Sequence, residues 1–90
     1  DIETVLLSHP DIDEAAVIGK VHPRWGETPH AFVVLAQGVQ ISANELQLWA
    51  YQQLDKHQRL DGLSLVDSLP RNALGKVLKG ELFKEMMGEN

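Results

Sequence analysis

Ninety residues, 43% hydrophobic and 23% charged, describe one small globular domain. The net charge of −5, with 13 acidic residues against 8 basic ones, argues against a nucleic-acid module, which carries a basic face. The absence of cysteine excludes a disulfide framework and a thiolate metal site, and no apolar run nears the ~18 residues of a membrane span.

Ile2, Val5 and Leu6 recur at helical spacing, and Pro10 stops the pattern. No cap precedes this helix in the sequence, so the chain is expected to be a piece of a longer polypeptide. "EAAVIGKV" (14–21) is a continuous apolar run that suits a strand buried on both faces. "HPRWGETP" (22–29) holds two prolines and a glycine and is expected to be a loop. "HAFVVLA" (30–36) is a second strand, antiparallel to the first across that loop. Gly38 turns the chain. "SANE" (42–45) is a capping box, and Leu46, Trp49, Ala50 and Leu54 then mark one helical face. "LSLVD" (63–67) is a third, short strand. After the turn "LPRNALGK" (69–76), Leu78, Leu82 and Met86 lie four apart on a closing helix that starts at Val77, with Phe83 alongside.

The order α-β-β-α-β-α makes an α+β domain: a small three-stranded mixed sheet covered by helices. Strand two, helix and strand three form a crossover. Strand one is expected between them, antiparallel to both, as in a split βαβ unit. There is no internal repeat and no low-complexity segment. No signal-peptide pattern opens the chain, so the cytoplasm is the default location.

Few residues point to chemistry. His9, His22, His30 and His57 show no ligand spacing and no carboxylate cluster, which argues against a metal site. No Ser-His-Asp or G-x-S-x-G pattern is present, and "HPRWGE" has too few glycines to cradle a phosphate. By itself Trp25 reads as a core or loop-anchoring aromatic, and Arg59 as a solvated cation at a helix end. Lys76 follows Gly75 on a turn, where lysines are usually just exposed. Two features favour a second reading, in which the ammonium is delivered to an anion held elsewhere. Gly75 permits close backbone approach or positive φ. A lysine at a helix start also opposes the helix dipole, and a locally unfavourable residue points to another purpose.

Three stretches, in order, resemble one family. "IETVLLSHPDIDEAAVIGKV" is similar to the helix-strand unit of the C-terminal domain of adenylate-forming enzymes: acyl- and aryl-CoA synthetases, luciferases and nonribosomal adenylation domains. Leu6 or Leu7, His9, Pro10, Glu14, Ala15, Ala16 and Val17 fill its pattern. Trp25, Gly26 and Glu27 fill a following "W-G-E" loop. "PRNALGKVLKGEL" looks like the closing lysine motif. The resemblance covers essentially the whole chain.

It implies a mobile lid, residues 1–90, of an AMP-forming acyl- or aryl-CoA synthetase. A large N-terminal adenylation domain would hold ATP, Mg2+ and the carboxylic acid substrate. Lys76, beside Gly75, would serve acyl-adenylate formation, and the lid would then rotate to help CoA attack the adenylate. Trp25, Gly26 and Arg59 match CoA-nucleotide contacts of some aryl-CoA ligases. In "HQRLDG" His57 stands where the family often has an aromatic, and Leu60 where it often has proline. The hinge and glycine-rich hairpin that normally precede "IE" are missing. The motif also implies a lysine acetyltransferase acting on Lys76. Two alternatives stand beside this reading: a free-standing α+β interaction or ligand-sensing module, and the lid of a carrier-protein adenylation domain. In isolation the domain is expected to be inert.

Overall fold

Asp1 is the cap that the sequence seemed to lack: its carboxylate accepts the Thr4 N–H at 2.8 Å and starts α1 (Ile2–Leu7). The computed structural model describes residues 1–22, 24, 26–54 and 60–86. After α1 come β1 (Ile12–His22), β2 (Gly26–Leu35), α2 (Ala43–Gln53), β3 (Gly62–Leu65) and α3 (Lys79–Met86). The architecture is the expected one, a three-stranded mixed sheet in the order α-β-β-α-β-α. The capping box also forms: the Ser42 hydroxyl accepts the Glu45 N–H at 3.1 Å, and Glu45 accepts the Ser42 N–H at 3.2 Å. No helix among the described residues is long and apolar enough to cross a membrane.

The strand order corrects the expectation. It is β1-β2-β3, with β2 central, antiparallel to β1 and parallel to β3. Burial gives the reason. Ala31, Phe32, Val33 and Val34 are all buried, so β2 needs cover on both faces. β1 carries Asp13, Glu14, Gly19 and Lys20, and it takes the edge. The α2 crossover then sets β3 directly beside β2.

The loop between β1 and β2 is also shorter than expected. Pairing runs from Ile12↔Leu35 to His22↔Gly26, so only residues 23–25 connect the strands. Pro29 was read as a loop residue, yet it sits inside β2. Its carbonyl accepts the Asp61 N–H at 2.6 Å. A residue's N and C=O point the same way in a strand, so the missing N–H faces the start of β3 and takes nothing from the β1 ladder.

An irregularity between Ile12 and Glu14 adds one residue to β1, and this β-bulge divides the core. Ile12 joins Leu6, Ala31, Val33, Leu46, Ala50, Leu60 and Leu63 under α1 and α2. Ala16 and Ile18 join Phe32, Val34, Leu69 and Leu82 on the opposite face, under α3. His9 and Trp49 brace the first face edge-to-face at 4.6 Å between centroids. His9 Nδ1 also accepts the Asp11 N–H at 3.0 Å, so this motif histidine holds the turn into β1.

Candidate functional site: the Lys76 turn

Leu69, buried under α3, brings the chain out of the second core cluster and into the motif turn. The segment folds back on itself. Arg71 bridges to Val77, the Asn72 N–H reaches the Lys76 carbonyl at 3.0 Å, and the Leu78 N–H reaches the Pro70 carbonyl at 2.8 Å. Gly75 makes the return with φ +87°, the left-handed region that a side chain disfavours. α3 begins only at Lys79. Lys76 therefore lies three residues ahead of the helix, and the expectation that it opposes a helix dipole is corrected. The bridge occupies the residues that the four-residue spacing had assigned to a first helical turn. Leu78 is accordingly exposed, and Leu82 alone of that pair is covered.

The turn is braced at two points. Asn72 Oδ1 accepts the N–H groups of Leu74 and Lys76, at 2.9 and 3.0 Å. This asparagine went unread in the sequence, although short acceptors that bond their own turn are its commonest use. Arg71 donates to the Gly75 carbonyl and, at 2.6 Å, to Glu14 of β1. A third pair holds the start of α3. Lys79 donates to Glu3 of α1 at 2.8 Å, and the same carboxylate oxygen accepts the Val17 N–H at 2.8 Å. Burial pushes the Glu3 carboxyl up, but the bonds from Lys79 and Val17 outweigh it and hold the group below the usual carboxylate range.

Lys76 is exposed. Arg71, Lys79 and Lys84 each meet a carboxylate, whereas among the described residues no carboxylate engages the Lys76 ammonium. It stands at the rim of an open cleft of about 730 Å³, lined by Glu3, Ala15, Ala16, Asn72 and residues 76–81. The turn thus presents, among the described residues, a lysine free of carboxylate partners beside a concave surface.

The other expected site residues divide. Gly75 adjoins Lys76. Gly26 opens β2 with φ +83° at the far end of the hairpin, eight residues along β1 from the partner of Arg71. At 3.3 Å per residue that separation is roughly 25 Å. Trp25, His57 and Arg59 lie outside the described residues. Their described flanks, Gly26 and Leu60, belong to the end of the sheet where Asp61 meets Pro29. Among the described residues no three His, Asp or Glu side chains are grouped to hold a metal ion.

Residues 1–76 match the family model of the AMP-binding enzyme C-terminal domain. The chain belongs to this family. The C-terminal domain is 41% identical over its full length to a fatty acid–[acyl-carrier-protein] ligase of Streptomyces coeruleorubidus, and spans 17% of that protein. It is 42% identical over 91% of its length to a 2-succinylbenzoate–CoA ligase of Geobacillus kaustophilus, again 17% of the whole. The fold superposes on a Mycobacterium tuberculosis fatty acyl CoA synthetase with a TM-score of 0.81 and 31% identity, covering 93% of this chain and 16% of that one. The C-terminal domain thus spans about a sixth of the proteins it matches.

Proposed function

We propose that this C-terminal domain is the mobile lid of an AMP-forming acyl- or aryl-CoA synthetase, and that Lys76 acts in its first half-reaction. In that step a carboxylate attacks the α-phosphate of ATP, the bond to the leaving pyrophosphate breaks, and an acyl-adenylate forms. Charge on the phosphoryl oxygens in flight calls for a positioned donor. ATP, Mg2+ and the acid belong to the N-terminal portion, so the domain alone is inert. Rotation of the lid then withdraws Lys76 and turns the end of the sheet bearing Gly26 toward CoA, with Trp25, Arg59 and His57 as contacts. A separation of roughly 25 Å between the two ends suits a lid that uses them in turn. CoA is the acceptor in this reading, supported by relatives named as CoA ligases. Acetylation of Lys76 by a lysine acetyltransferase would remove the charge and switch off the first step.

The observation that carries the reading is the Lys76 ammonium, which no carboxylate among the described residues engages, on a doubly braced turn. The test uses the complete enzyme, with the acid chosen by ATP–pyrophosphate exchange across aliphatic, dicarboxylic and aryl acids. Lys76→Ala lowers adenylation about a hundred- to a thousand-fold, the usual loss of one preorganised donor. Thioester formation from pre-made acyl-adenylate and CoA survives. A variant equally slow in both halves assigns Lys76 to folding or docking instead.

A further inference from the structure

Leu74 is the most exposed large apolar residue among the described residues, with 93% of its surface in water. A single exposed leucine carries no message by itself. Its place does. Asn72 Oδ1 holds the Leu74 and Lys76 N–H groups together, so the two residues leave one rigid turn. Residues two apart have Cα atoms no more than about 7 Å from each other. A surface that receives the Lys76 ammonium therefore lies within reach of Leu74 as well.

We propose that Leu74 is the apolar anchor by which this turn docks on the N-terminal portion of the same polypeptide during adenylate formation. The proposal rests on the reading of Lys76 given above. The occupant follows from that reading, because the surface receiving Lys76 is the one that holds ATP and the acid. The matched relatives, of which the domain spans 17%, have ample chain to supply it. Docking leaves water behind on a leucine and aims the lysine in the same movement. Withdrawal for thioester formation exposes Leu74 again, so its burial favours one pose over the other. Leu74 is thus a positioning residue that touches no reacting atom.

The test compares Leu74→Ser, Leu74→Met and Lys76→Ala in the complete enzyme with the acid found by exchange. Leu74→Ser slows adenylation about tenfold or more, the range for losing one buried leucine. Thioester formation from pre-made adenylate stays within about twofold, because the turn is undocked in that pose. Leu74→Met restores adenylation, since a thioether side chain fills the same apolar recess. Wild-type adenylation in Leu74→Ser overturns the proposal, and so does an equal loss in both half-reactions. The Lys76→Ala arm is scored separately. If it adenylates normally the reading of Lys76 falls, whatever Leu74 does.

Discussion

Arg71 and Glu14 lie 57 residues apart in sequence and 2.6 Å apart in the fold. The pair fastens the motif turn to the first strand. Because Arg71 also holds the Gly75 carbonyl, Glu14 governs the residue next to Lys76 through a single guanidinium. Glu14 can do so because it follows the β-bulge and pairs with Val34, whose side chain lies in the α3-side cluster.

Breaking this pair should cost aim more than stability. Both side chains are partly in water, at 40% and 31% exposure, so the pair contributes about 1 kcal/mol or less to folding. Glu14→Gln in the complete enzyme is expected to leave thermal unfolding nearly unchanged and to slow adenylation several-fold, because a displaced donor loses its effect steeply. Thioester formation from pre-made adenylate should not move. Equal damage to both steps would show that the pair merely holds the domain together.

Gly75→Ala tests the turn from the backbone side. A Cβ at Gly75 would meet nothing within 4 Å, so no neighbour obstructs it. The cost comes from φ +87° alone and is about 1–2 kcal/mol. Chemical denaturation should show that loss, and Gly75→Asn should recover part of it because asparagine tolerates the left-handed region. If alanine and asparagine behave alike, the turn has relaxed and φ is not its constraint.

Glu3 predicts a pH dependence with a definite sign. Its folded pKa is depressed, so it adds stability above the ordinary carboxyl value near 4.5 and loses it as pH falls through the folded value. The Tm gap between the natural protein and Glu3→Gln should be full at neutral pH and narrow below about pH 4. A gap that stays constant into acid would mean that the Lys79 contact contributes nothing.

The proposed CoA contacts give the acceptor test. Arg59→Ala in the complete enzyme is expected to raise the KM for CoA about tenfold, as for a lost charge-assisted hydrogen bond, and to spare adenylation. An unchanged KM for CoA would return Arg59 to the role of a solvated cation.

Much of the fold was legible in local pattern. The capping box, the α2 face of Leu46 and Ala50, and the body of the strand "HAFVVLA" each read correctly because neighbours in sequence decide them, although β2 starts at Gly26 and ends at Leu35. The strand order did not, since "EAAVIGKV" looks as apolar as a central strand until its charged and glycine positions are set against the unbroken burial of β2. The start of α3 was misplaced because Leu78 and Leu82 keep helical spacing across a segment that a left-handed glycine and an Arg71↔Val77 bridge hold in another shape. In the candidate site, Lys76 and Gly75 stood out locally. The partners that steady them were hidden, because Glu14 with Arg71 and Glu3 with Lys79 are separated by 57 and 76 residues. Local periodicity carries no trace of such a pair.

The Glu3 carboxylate has one more consequence, for how the protein behaves in a crowd. β1 is one of the sheet's two outer strands, and the Val17 amide points away from β2. An outer strand with free amides is a template on which a second chain can lay its own backbone. Glu3 occupies that amide and sets a charge at the middle of an eleven-residue margin. The α1 helix therefore closes this point of the margin to backbone pairing as well as forming part of the core.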